Sequence, residues 1–531
     1  MKKYLILFFV CLSSVFVSCD KDGGDIVLPR QKEGYLQLIE AYEQGSLFIG
    51  VYQDDKGLQT VRFSTGSLTI PEGGVVLHDC RTAKKAAVSI NDAGTMWNVN
   101  AQLSGIAYQP QLSDREATLV YGWYDSVTLY LQISNGNLLE FGHDGYPGPE
   151  VFSIPSVRIN YTGTLDLENY CTGTYVISDP DRHFSEDGTI SGSLKIRGRG
   201  NSTWGMPKKP VRLKMDSKTK VLGMSSDKDW DLIANYADKS LLRNSLGMEI
   251  SRIMGFGWTP RHVACEVYFN DVYQGVYDLF EHKETGKSKV DIDPEKDYYL
   301  EIEQSLDEPV NFTTSYGVPI QFKDPDNPDA DRIAYVKDYF RAFEDALRSN
   351  DFSATGYAAY IDIDSWVDNY IIQELAKNID GNVRKSSFLV LREGGKLEFV
   401  HQWDFDLAFG NADYFPCGNG PEGWWVKDYN TQSQKGDGWY QRLFRDSAFV
   451  ERVKARWKEL YPSLQMLDGF IDKAAAELGD APARNFAKWD ILGKPVWPNV
   501  EVTGSYQGEI DYLKSFYLKR LDWMDSALEK L

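Results

Sequence analysis

Cysteine is scarce in this chain, and no two cysteines stand in a C-x-x-C pair. That spacing argues against a zinc–thiolate site, whose ligands come in closely spaced pairs. Positive charge is short as well: 57 Lys and Arg stand against 77 Asp and Glu, a net charge of −20. Neutralising the phosphates of a duplex needs basic surface, so nucleic acid is excluded as a main partner, while the acidic balance favours a soluble body. Beyond the first nineteen residues no apolar run reaches the length of a membrane-spanning helix. Internal repeats and low-complexity stretches are lacking too. What is there is a chain of 531 residues, 42% hydrophobic, long enough for several domains with sizeable cores.

Residues 1–19, MKKYLILFFVCLSSVFVSC, have the form of a signal peptide: Lys2 and Lys3, an apolar run, then small residues. Ser18-Cys19 closes the run like a bacterial lipobox, which makes Cys19 the expected lipidated N-terminus. The linker at residues 20–33 opens with DKDGGD and resembles the tether of surface-exposed lipoproteins in Bacteroidetes. The expected location is therefore outside the cytoplasm, held to the outer membrane through a lipid anchor and exposed at the surface. Cys80, Cys171, Cys265 and Cys417 leave room for one or two disulfides in that compartment, with the pairing open.

Residues 34–153 alternate short apolar and polar runs (SLFIGVYQ, ATLVYGWY, SVTLYLQIS) with turn signals between them. The spacing predicts an accessory all-β module, read as a sandwich. Residues 154–531 change character. They open with strands (VRINYTG, TYVISD, SGSLKIRG), and amphipathic helices are expected over 239–254, 332–349 and 363–377. Strand pairs are expected around 262–280 and at 388–391 with 397–400, and helices at 439–460, 464–478 and 508–531. The class is α+β.

The chemistry centres on residues 396–410, KLEFVHQWDFDLAFG. Read as a strand, this stretch delivers Asp404 and Asp406, two positions apart and so facing one point. Two carboxylates suit a hard divalent cation such as Mg²⁺ or Mn²⁺ that also takes phosphate oxygens. Asp380, in the Gly/Asn-rich loop NIDGNVRKSS, is placed to accept the proton of an attacking hydroxyl. Residues 195–215, KIRGRGNSTWGMPKKPVRLKM, gather Arg197, Arg199, Lys208, Lys209, Arg212 and Lys214 among glycines. A basic hairpin in an acidic protein suggests a compact polyanion such as a nucleoside triphosphate. Asp238 reads as a helix N-cap, Asn270-Asp271 as a hairpin turn, and Glu281, at the end of the second hairpin strand, as a partner for a ribose hydroxyl or a basic group.

Taken together, IRGRGNSTW, KKPVRLK, Leu222–Met224, ANYADKSLLRN, the hairpin ending in Glu281 and QWDFDLAFGN resemble the CotH family, spore-coat-protein-H-like atypical kinases. The likeness runs from residue 154 to the C-terminus. It implies a two-lobed, kinase-like domain that moves the γ-phosphoryl of ATP to a hydroxyl, on a protein acceptor, with Mg²⁺ or Mn²⁺. By the resemblance Arg197, Arg199, Lys209 or Lys214 and Glu281 would meet the nucleotide, Asp380 would be the base, and Asp404 and Asp406 would hold the metal. Protein kinases place a metal-binding Asn five residues after the base; here that position is Lys385, which leaves Asn382 or Asp406 for the role. The rival expectation is a non-catalytic surface lipoprotein that uses the scaffold to bind glycans or partners, with Trp424-Trp425 as a stacking platform.

Overall fold

The computed structural model describes residues 154–179, 184, 188–430 and 437–531, together with the backbone of ten strands between residues 37 and 143. The leader, Cys19, the linker and Cys80 lie outside the described residues. The chain divides into two compact units, an N-terminal one and one running chiefly from residue 152 onward.

In the N-terminal unit the ten strands, β1 (Gln37–Gln44) through β10 (Leu138–His143), are all antiparallel and join in one sheet, ordered β1-β2-β3-β4-β7-β6-β5-β10-β9-β8. The all-β expectation matches these strands.

The second unit begins with a closed barrel. Its strands are β11 (Ser156–Tyr161), β12 (Cys171–Ser178), β13 (Thr189–Gly198), β14 (Val211–Lys220), β15 (Ser226–Ile233), β16 (His262–Phe269) and β17 (Val272–Glu281). They run in the order β11-β12-β13-β14-β15-β17-β16, and a parallel pairing of β11 with β16 closes the ring. Alternation fills the interior: Val157, Ile159, Ile196, Val211, Leu213, Trp230, Leu232 and Val267 are fully buried. The β16–β17 hairpin turns at Asn270 and Asp271, both at positive φ (47° and 62°), as a two-residue hairpin loop that follows the strand twist requires.

A five-stranded antiparallel sheet follows in the order β19-β20-β18-β21-β22. It comprises β18 (Tyr298–Ile302), β19 (Asn311–Thr313), β20 (Pro319–Asp324), β21 (Ser387–Leu391) and β22 (Leu397–His401), and every residue of β18 and β21 is buried. Around it lie α1 (Arg243–Met254), α2 (Ala330–Ser349), α3 (Ile363–Ala376), α4 (Trp439–Leu443), α5 (Ser447–Leu464), α6 (Leu467–Glu477), α7 (Ala481–Lys488) and α8 (Tyr506–Leu528). The helix expected from residue 239 starts at Arg243, because the Asp238 carboxylate takes the Arg243 N–H (2.9 Å) and the Ser240 N–H (3.1 Å) and holds the residues between in a turn. The helix expected over 439–460 breaks at 444–446, where Asp446 caps a new start through the Ala448 N–H. α7 was not foreseen. Cys171, Cys265 and Cys417 are free thiols, so no disulfide forms among the described cysteines. No described helix is long and apolar enough to cross a membrane.

One buried ion pair ties the C-terminal helix to the sheet-covering helix. Glu374 on α3 and Arg520 on α8 are both fully buried and meet at 2.6 Å. Glu374 also accepts the N–H groups of Trp425, Val426 and Lys427, while Arg520 donates to the carbonyls of Glu374, Pro421 and Gly423. Arg520→Met leaves the Glu374 carboxylate buried without its cation, and should lower the unfolding free energy by about 3–5 kcal/mol, read by urea unfolding followed through tryptophan fluorescence.

Candidate active site

The acidic segment is not a strand. β22 ends at His401, and Asp404 sits at φ 67°, in the left-handed region. The expectation that Asp404 and Asp406 face one way along an extended chain is therefore corrected: a turn, not a pleat, sets their directions. Asp is among the few side chains that tolerate this conformation. Three asparagines hold the turn. Asn378, in the loop after α3, donates to the Asp404 carbonyl (3.1 Å) and accepts the Asp380 N–H (3.2 Å), so one side chain links both acidic segments. Asn244 on α1 accepts the Phe405 N–H (2.8 Å), and Asn411 donates to the Asp406 carbonyl (2.7 Å). Phe405 and Phe409 are buried, and Gly410 (φ 82°) carries the chain past Phe516, where a Cβ would stand 2.5 Å from the ring.

The carboxylates are electrostatic neighbours. Burial, with Asp404, Asp238 and Asp380 adding to it, pushes the Asp406 carboxyl far above its ordinary range, and it shares a side-chain hydrogen bond with Asp404. Burial and Asp404 also raise Asp380, against the pull of Lys385 and of Arg384, whose guanidinium lies 3.6 Å from it. Such a group holds together at neutral pH only with a proton or a cation among its members. The donors are hard oxygens, which fit a Mg²⁺-type ion in kind. No three His, Cys, Asp or Glu side chains among the described residues already surround one point, so an ion would have to draw them in.

The basic hairpin distributes its charges differently from the expectation. Arg199 pairs with buried Asp231 (3.0 Å) and lies 5.9 Å from the ring of Trp403, the residue before Phe405's acidic neighbour Asp404. Arg197 donates to the Leu167 carbonyl and stacks on Tyr170, while Lys209 donates to the Trp204 carbonyl (2.6 Å). Lys214 stands 4.0 Å from Asp229, half exposed beside Arg212 on the same face of β14. Glu281 takes the Ser225 N–H and a fork from Arg261, which is the basic-group alternative of its two expected roles. Asn382 donates to the carbonyls of Trp425 and Tyr429. Trp425 itself is buried, with its indole N–H on the Asn378 carbonyl (2.8 Å), and Trp424 packs on Trp523.

A cation missed in the sequence shares the Trp403 ring with Arg199. Lys283, two residues past β17, lies 5.8 Å from the Trp403 ring and 4.6 Å from that of Phe388. It pairs with Glu301 of β18 at 2.9 Å. Burial pushes Glu301 up, but Lys283 and Lys323 outweigh it and hold the carboxyl down to about 2. The signal was weak, a single Lys in EHKE just beyond a strand end. Asp231 and His282 were missed too. Asp231 is held well below the carboxylate range, against its burial, by Arg199, His282 and Arg212.

A second buried chain reaches the acidic turn from the barrel. Asn235 donates to Asp278 (2.6 Å) and accepts from Asn244 (3.1 Å), whose carbonyl oxygen takes the Phe405 N–H. Lys208, at 2% exposure, donates to Asn485 and to the Val276 carbonyl. Burial pushes Asp278 up to about 7, and burial pulls Lys208 down to about 7 against the charge of Asp278. A carboxyl whose folded pKa is raised binds more protons in the native state, so stability falls as pH rises from its ordinary 3.8 toward about 7. Lys208 acts in the opposite sense from about 7 up to 10.5. Asp278→Asn should therefore gain stability relative to the native chain steadily across the acidic-to-neutral window and no further below it, as measured by urea unfolding at stepped pH.

No curated protein matches the chain. The family description that matches is CotH kinase protein, over residues 196–524, a stretch that contains Arg197, Arg199, Lys283, Asp380, Asp404 and Asp406. That match covers more than half of the 531 residues, and the chain belongs to the CotH kinase family.

Proposed function

We propose that this protein is a metal-dependent phosphotransferase that moves the γ-phosphoryl of ATP to an acceptor hydroxyl. The observation that carries the reading is Asp406, buried beside Asp404, Asp238 and Asp380. Asp238 has Arg243 as its partner, but Asp404, Asp406 and Asp380 crowd together with Asp406 driven toward its neutral form, which is costly unless the group serves a cation or a proton transfer. Asp404 and Asp406 would hold Mg²⁺ or Mn²⁺, which when bound offsets the charge of the phosphate oxygens. Asp380, raised by burial and by Asp404, is the group suited to take the proton of the attacking hydroxyl. Arg199 and Lys283, 5.9 Å and 5.8 Å from the ring of Trp403 next to Asp404, would face the polyphosphate. In this reading the barrel carries the nucleotide-facing cations and the helix-covered sheet carries the acids, as two lobes would. The signal peptide and Cys19 would place this activity at the outer membrane surface, on a lipid anchor.

Of the tryptophan pair considered for the non-catalytic reading, Trp425 is buried and Trp424 packs on Trp523. Two variants test the catalytic one. Asp404→Asn keeps a side chain that accepts φ 67°, and should abolish Mg²⁺-dependent ATP binding in calorimetry. Asp380→Asn should keep that binding and lose phosphate transfer from labelled ATP by roughly 10²–10⁴-fold. Metal-dependent binding that survives Asp404→Asn unchanged would overturn the proposal.

A further inference from the structure

Tyr414 and Trp497 form a stacked pair with ring centroids 5.8 Å apart and planes 12° from parallel. Trp497 is 62% exposed and Tyr414 38%. Single exposed apolar side chains are ordinary on a protein surface; two parallel aromatic faces fixed beside an acidic cluster are not. The pair is tied to that cluster at both ends. Tyr414 lies three residues after Asn411, whose side chain holds the Asp406 carbonyl. Trp497 lies two residues before Asn499, which donates both to Asn411 (2.9 Å) and to the Ala237 carbonyl (2.7 Å). Asn411 donates to that same carbonyl at 3.1 Å. The platform and the acidic turn therefore share one asparagine and cannot drift apart independently.

The charges around the platform decide what it fits. Burial raises the Tyr414 hydroxyl, to which Asp380, Asp406 and Asp413 add and which Arg384 opposes. An anionic ring would meet these carboxylates. A strongly cationic ligand has less call on them, because Arg384 and Lys385 already attend Asp380. A neutral ring with hydroxyls on its rim and C–H groups on its face suits both features: the C–H face lies on the aromatic step, and the hydroxyls donate to carboxylates. We infer that the Tyr414–Trp497 platform seats a neutral sugar ring of an oligosaccharide and that a hydroxyl of that sugar is the phosphoryl acceptor. This departs from the protein acceptor that the family resemblance implies, and it rests on the phosphotransfer reading above. In the step, the sugar oxygen forms a bond to the γ-phosphorus, the bond from that phosphorus to the β-bridging oxygen breaks, the hydroxyl proton passes to Asp380, and ADP leaves.

The experiment uses the full chain with maltohexaose, cellohexaose and chitohexaose as probes, beside a lysine-rich serine peptide. Calorimetry without nucleotide should show binding of at least one oligosaccharide, weakened tenfold or more by Trp497→Ala, with the melting temperature unchanged because the ring is exposed. With γ-labelled ATP and Mg²⁺, label should reach that oligosaccharide from the native chain and not from Asp380→Asn. Absence of oligosaccharide binding, equal affinity in Trp497→Ala, or label on the peptide alone would each overturn the sugar platform while leaving phosphotransfer intact. Sugar binding that depends on Trp497 with no label moved to any probe would instead overturn the phosphotransfer reading and, with it, the acceptor role.

Discussion

The structure of the site depends on one constraint: the backbone from Asp404 to Asp406 is kept in a turn by asparagine side chains from three separate segments. A left-handed residue that is not glycine costs about 1–2 kcal/mol. Three hydrogen bonds at about 1 kcal/mol each are enough to offset it. Each partner is placed by a different part of the fold. Asn244 rides on α1, Asn378 follows the C-terminus of α3, and Asn411 sits just past the turn at Gly410. The acidic turn is thus a reporter of tertiary packing, formed when barrel, helices and sheet are assembled.

The same logic explains why the buried charges near it come in pairs. Asp238 and Arg243 meet at 2.6 Å, both fully buried, and Arg243 also donates to the Ala408 carbonyl just beyond the acidic pair. The Glu374–Arg520 pair secures the end of α3 from which Lys377 and Asn378 leave. Lys377, itself at positive φ, donates to the carbonyls of Gly418, Gly420 and Glu422 and fixes the loop that covers Asn378. Paired burial of this kind adds little net stability against an apolar core of equal volume. Its effect here is positional: each pair dictates where one loop of the site must lie.

What could be read in the sequence was what depends on near neighbours. The Asn270–Asp271 turn, the strand ending at Glu281 and the α3 boundaries follow from local pattern and are found where expected, whereas Asp238, expected as an N-cap, instead holds the turn before a helix that starts at Arg243. The geometry of the D-x-D pair was not legible, because a period-two pattern says nothing about a backbone held left-handed by distant asparagines. The basic hairpin shows the same limit. Six cations in one stretch look like one site, yet Arg197, Lys208 and Lys209 are each engaged by carbonyls of their own surroundings. Lys283 stands alone in sequence and gains its place from Trp403 and Glu301, more than 100 and about 18 positions away. Partner choice across such separations is set by the fold and leaves no periodic trace.

The pairing also bears on how an acidic chain could accept a polyanion. With a net charge of −20, unscreened acids would repel a nucleotide. At the site, however, Arg199 stands with Asp231, Lys283 with Glu301 and Arg384 with Asp380, so each cation arrives beside its own carboxylate. The local field is close to balanced before any ligand enters, and the excess lies with Asp404 and Asp406. A polyphosphate alone would add to that excess, whereas a divalent cation among Asp404 and Asp406 would lower it and would also draw off part of the charge of any phosphate oxygens it met.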